Sequence, residues 1–194
     1  ERTAAGARDP RAEASFLYDF TNPAGPAATM VYGATWASQY GTNDKRVWFR
    51  KLLNDHWKNG ESFSSPNNYR LIRYADILLM YAECLNELNQ TAAAYPYVDR
   101  VRQRVGLRTL TAAKPGLSQA AFRNQIKHER MLELAGEGWR YFDMVRWGEF
   151  TNNMATLRVR DADFNNFVVN KHEWFPIPQN DIDNNPNLTQ NPGY

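Results

Sequence analysis

One stretch limits the fold more than any other. Between Leu71 and Leu88 the apolar side chains Leu71, Ile72, Ala75, Leu78, Leu79, Ala82, Leu85 and Leu88 recur at intervals of three and four, while Arg73, Asp76, Glu83 and Glu87 mark other positions. That is the period of one helix face, so a helix over 71–89 is predicted, with an apolar stripe that must be buried. The break Asn89-Gln90-Thr91 leads to a second helix over 92–105, with Val98, Val101 and Val105 on one side and Gly106 as a left-handed stop. Pro96 would remove a backbone hydrogen bond there, so this helix either starts after Thr91 or bends.

The two helices read as an antiparallel hairpin over 71–106, near the length of about 34 residues of a tetratricopeptide unit, whose inner faces are covered by neighbouring repeats. A turn over Thr109–Gly116 precedes a third helix with Ser118 as N-cap and Phe122, Ile126, Leu132 and Ala135 turned inward, ending at Gly136-Glu137-Gly138. A shorter helix follows from Trp139 to Gly148. Residues 149–194 are rich in Asn and Pro, which favours an extended tail anchored on the helices by Phe164, Phe167, Trp174, Phe175 and Ile177. Residues 1–70 are punctuated by turn signals such as Asn22-Pro23, Gly25-Pro26 and Asn59-Gly60, and hold no helical period. The fold class is therefore mainly α: a tetratricopeptide-like hairpin (71–106), a further helical pair (107–148), a loop-rich start (1–70) and the tail (149–194), in one domain.

Composition removes several functions. The longest apolar run, Ile77–Ala82, is far short of the roughly 20 residues of a membrane-spanning helix. The formal net charge of +2 is too small to imply a nucleic-acid partner, although arginine outnumbers lysine 17 to 6. Arginine is preferred where a planar fork must meet a carboxylate in a partly buried place, so internal ion pairing is expected. Cys84, the one cysteine, lies in the apolar pattern and is expected to be buried. The chain begins at Glu1 without a signal sequence, as a piece of a longer protein would.

Chemistry-bearing clusters are few. The segment 128–148 carries Glu129, Glu133, Glu137 and Asp143, and a glycoside hydrolase could draw its acid and its base from Glu129 and Glu133. Arg130, Arg140 and Arg146 nearly match those acids, however, and a guanidinium fork keeps a carboxylate ionised, which spoils a general acid. His56, His128 and His172 have no metal-ligand spacing, and no cofactor motif is present. The aromatic residues of the loop-rich start are better placed for binding. Trp36, Tyr40, Trp48 and Trp57 could stack on sugar rings, although large aromatics on loops more often bury themselves. A helical hairpin could also serve as a peptide-binding adaptor, through a concave groove lined by residues between 71 and 105.

The run Arg73-Tyr74-Ala75-Asp76-Ile77-Leu78-Leu79-Met80-Tyr81-Ala82-Glu83, the segment His128-Glu129-Arg130 to Arg146-Trp147-Gly148, and the ending Phe175-Pro176-Ile177-Pro178 with Asn185–Tyr194 resemble the C-terminal part of the SusD/RagB family of nutrient-uptake outer-membrane lipoproteins. Asp9-Pro10-Arg11 is similar to a weaker element of that family. The resemblance implies a helical, tetratricopeptide-based protein that binds glycans without catalysis, is lipid-anchored at the cell surface through an N-terminal part, and delivers its ligand to a SusC-like TonB-dependent barrel transporter. It assigns Arg73, Asp76, Glu83, Glu129, Arg130, Glu133, Arg140 and Arg146 to a structural ion-pair network. It transfers no sugar-contacting residue, so the four loop aromatics rest on the stacking argument alone.

Overall fold

The computed structural model describes residues 3, 5–18, 30–41, 46–55 and 65–194, which divide into two compact units, 1–138 and 139–194.

The first unit begins with α1 (Pro10–Ser15), opened by Asp9, whose carboxylate accepts from the Arg11 N–H at 3.0 Å, and by Pro10, whose missing N–H costs nothing in a first turn. Two short antiparallel pairs follow. Strand β1 (Phe16–Leu17) pairs with β4 (Trp48–Phe49), and β2 (Met30–Val31) pairs with β3 (Ala34–Thr35) across Tyr32-Gly33. Both loop residues have positive φ, 48° and 76°, the geometry that matches the twist of a two-residue hairpin. Helix α2 (Trp36–Tyr40) completes this region, and Leu17, Val31 and Trp36 form its small core.

The predicted hairpin is α3 (Tyr74–Glu87) and α4 (Thr91–Arg104). Leu78, Leu79 and Ala82 of α3 meet Ala94, Tyr95, Val98 and Val101 of α4, joined by Phe122 and Ile126 of α6 (Gln119–Glu133) and Leu110 of the one-turn helix α5 (Leu110–Ala113). Leu71 and Ile72 precede α3 and are exposed, so the stripe starts at Ala75. Pro96 neither delays α4 nor stands outside it. Pro96 and Ala92, the residue one turn earlier, both face solvent, so the carbonyl left unpaired by proline can bond to water. The expected turn over 109–116 contains α5, because the Asp99 carboxylate accepts from the Leu110 N–H and Thr109 caps the first turn. Ser118 caps α6 as expected, accepting from Ala121 N at 3.3 Å. Cys84 is exposed rather than buried, since it lies on the side of α3 away from Leu78 and Ala82.

After α6 the chain turns through Gly136 (φ 77°), where a Cβ would come within 2.8 Å of the Phe49 ring. Only glycine admits both that backbone and that approach.

The second unit consists of α7 (Trp139–Arg146), α8 (Glu149–Asn152), α9 (Met154–Arg160), a 3-10 turn (Ala162–Asn166) and α10 (Gln179–Asn184). Residues 149–166 are thus helical where an extended tail was expected. Met154 and Leu157, three apart, face Met144 and Phe150, and this burial sustains helix on either side of the bend at Asn153. The remainder is largely irregular. Phe164 and Phe167 pack against Phe150, while Trp174 and Phe175 are mostly exposed.

Candidate functional site

Three glutamates four residues apart organise the first unit. Glu129 and Glu133 lie on successive turns of one face of α6, and Glu137 follows in the turn after it. Glu129 is fully buried between two guanidinium groups, Arg11 of α1 at 2.6 Å and Arg102 of α4 at 2.8 Å. Glu133 is held by Arg73 at 3.0 Å, Arg104 at 2.9 Å and Arg11 at 3.3 Å. Glu137 meets Lys51 at 2.6 Å and Arg73 at 2.7 Å. Beside them Arg130 and Asp76, both buried, pair at 2.7 Å. Four helices and the loop of Lys51 are thereby tied to one row of carboxylates.

Burial pushes the Glu137 carboxyl up, but hydrogen bonds from Arg73 and Lys51 outweigh it and hold the group below its ordinary value. Asp9 behaves alike: burial raises it, and Arg11 brings it down further than burial lifts it. Burial lowers Lys51, and Glu137 only partly offsets this. Burial also disfavours the charged Arg11 and Arg73, yet their carboxylate partners leave both above the ordinary arginine value.

Of the residues assigned to the ion-pair network, Arg73, Asp76, Glu129, Arg130 and Glu133 stand together in the first unit. Glu83 is half-buried and its charge acts on Arg123. Arg146 lies in the second unit, paired with Asp143 at 2.9 Å, and Arg140 is exposed without an ion pair among the described residues. Sequence reasoning missed Arg11, Lys51, Arg102 and Arg104. The signal for them was the four-residue spacing of the glutamates, which asks for more cations than their own segment provides.

The aromatic candidates separate. Trp36 is 1% exposed, its ring 4.6 Å from that of Tyr40, so it offers no face to a sugar and belongs to the core. Tyr40 is half-buried and stacks on Trp48 at 6.2 Å with 21° between the planes. Trp48 is 43% exposed, and the Arg46 guanidinium lies 5.2 Å from its centroid. Trp57 lies outside the described residues.

Glu133 and Glu137 also line a cavity of about 410 Å³, with Arg11, Ser15, Lys51, Tyr69, Arg70, Arg73 and Arg104. Among the described residues no three His, Cys, Asp or Glu side chains gather as metal ligands would.

Comparison with known proteins places this arrangement. The model of the SusD family matches residues 1–194. The chain belongs to the SusD family. A SusD-like protein of Formosa agariphila is 36% identical over 143 residues, 74% of this chain and 27% of that protein. The starch-binding protein SusD of Bacteroides thetaiotaomicron is 28% identical over 147 residues, 71% of this chain and 25% of that protein. The crystal structure of a SusD superfamily protein from Bacteroides vulgatus superposes with a TM-score of 0.85 at 26% identity, covering 100% of this chain and 41% of that one. This chain spans about a quarter of the length of the curated relatives it matches. Two of the segments that carry the SusD resemblance, 73–83 and 128–148, supply Arg73, Asp76, Glu129, Arg130 and Glu133 to these ion pairs.

Proposed function

We infer that this chain is part of a non-catalytic glycan-binding protein, lipid-anchored at the outer-membrane surface, which presents oligo- or polysaccharide to a TonB-dependent barrel transporter. Membership of the SusD family, with a starch-binding relative, supports the ligand class. The observation that carries the non-catalytic reading is the state of Glu129 and Glu133. Each is buried and bonded by at least two guanidinium groups, so its carboxylate oxygens are already engaged within the frame. A hydrolase built on that pair is disfavoured for the same reason. Trp48, 43% exposed, stacked on Tyr40 and with Arg46 over its ring, is the surface we assign to a sugar ring.

Affinity electrophoresis of the protein that carries this chain, in gels containing a panel of polysaccharides, tests the reading. Retardation by at least one of them is expected, with no release of reducing ends. Absence of retardation in every gel, or reducing ends released by wild type and abolished by Glu133→Gln, would overturn it.

A further inference from the structure

The ion-pair row does not consume all the positive charge around it. The 410 Å³ cavity adjoins a second of about 360 Å³ between α3 and α4, and the two share Arg73 and Arg104. Among the described residues they are lined together by six cationic side chains and by two carboxylates, Glu133 and Glu137. Adding Asp9, Glu129 and Arg102 beneath them gives seven cations against four acids among the described residues, an excess of three in a chain whose whole net charge is +2.

The excess lies on the rim. Arg70 and Arg100 are exposed and enter no ion pair among the described residues, and Arg104, with 56% of its side chain exposed, bonds Glu133 through one of its three nitrogens. Two rings flank these arginines. Tyr69 is 56% exposed while its hydroxyl is pinned to the Glu137 carbonyl at 2.8 Å, so its orientation is set while much of its ring surface stays open. Tyr74 is 61% exposed, with Arg100 5.2 Å from its centroid. Ser15, itself only 1% exposed, belongs to the wall of the larger cavity, and its hydroxyl, sealed from solvent, has no hydrogen-bond partner among the described residues. A buried hydroxyl left unpaired is costly.

We propose that this arginine-rimmed groove is a subsite for an acidic sugar, one bearing a carboxylate or a sulfate ester. Guanidinium forks suit either anion, the tyrosine faces suit the C–H face of a pyranose, and the joined cavities exceed the lower end of the size range of small-ligand sites. The proposal rests on the glycan-binding reading and extends it from the loop aromatics to a second place with a stated charge preference.

The test compares polygalacturonate, a sulfated galactan and an uncharged mannan as ligands of the protein that carries this chain, in wild type and in the double variant Arg70→Gln/Arg100→Gln. Binding of one or both acidic polymers is expected, weakening as salt rises and falling about tenfold in the double variant; the two acidic arms separate carboxylate from sulfate. Acidic binding that the double variant leaves intact overturns the proposal, and so does binding of mannan alone, which leaves the glycan-binding reading standing. No binding to any polymer in a wider panel is failure of that reading itself. Phenylglyoxal should label Arg70 and Arg100 in the unliganded protein; protection of both would show polypeptide covering the groove and overturn the proposal.

Discussion

The two units of the chain are held by different physics. In residues 1–138 the helices are registered by buried charge: Glu129, Glu133 and Glu137 take cations from α1, from Arg73 at the start of α3, from α4 and from the Lys51 loop. In residues 139–194 the organising contacts are rings. Phe150 stacks on Phe167 at 4.3 Å and lies 6.1 Å from Phe164, Tyr141 meets Phe150 and Phe175 at 5.6 Å, and the Tyr141 hydroxyl donates to the His172 carbonyl. Apolar packing tolerates sliding and substitution, whereas a desolvated ion pair is satisfied in one geometry only and punishes loss of either partner. The first unit is therefore the one whose residue identities are fixed by geometry, and the resembling segment 73–83 and the His128-Glu129-Arg130 run lie in it.

The largest effect should come from removing one carboxylate of the row. Glu129→Ala leaves Arg11 and Arg102, each with 6% of its side chain exposed, facing one another without the charge between them. Urea unfolding should show a loss of about 3–5 kcal/mol. A loss below about 1 kcal/mol would mean that the row does not order the unit.

Phe150→Ala should cost about 3 kcal/mol through the cavity it opens, but locally. Amide exchange should quicken across α7–α9 while α3, α4 and α6 keep their protection, and equal loss in both units would dissolve the distinction.

Acid should find the first unit sooner. Asp9 and Glu137 titrate in the folded state below their ordinary values of 3.8 and 4.5. Their stabilisation is therefore fully present above those values and drains away as pH falls through the lower folded values. Glu137→Gln should flatten that acid limb of the unfolding curve; an unaltered limb would remove Glu137 as its source.

The smallest effect is expected at Arg146. Its pair with Asp143 spans one helical turn with 42% of the arginine side chain exposed, so Arg146→Ala should cost less than about 1 kcal/mol, against a much larger loss for the buried Arg130→Ala. Comparable losses would contradict the ranking by burial.

Much of the helical frame was legible because its signals are local. The stripe from Ala75 to Leu85, the Ser118 cap and the Gly106 stop (φ 71°) need no knowledge of the rest of the chain. The errors arose where distant contacts decide. Burial of Met154 and Leu157 makes helix from an asparagine-rich stretch, and the solvent exposure of Ala92 and Pro96 lets a helix run through the proline. Trp36 and Trp48, equally promising on a loop, differ only in which one the Leu17–Val31 core receives. Arginine abundance announced ion pairing but not its partners, since Arg11 and Glu129 are 118 residues apart.

The claim beneath all of this is that Glu129 belongs to the frame and not to a reaction. Glu129→Gln in the protein that carries this chain, assayed together for unfolding, polysaccharide retardation and reducing ends, addresses it most directly. The expected result is a clear loss of stability, unchanged retardation of the folded fraction, and no reducing ends from either protein. Reducing ends from the wild type alone, with stability equal in the two, would contradict it.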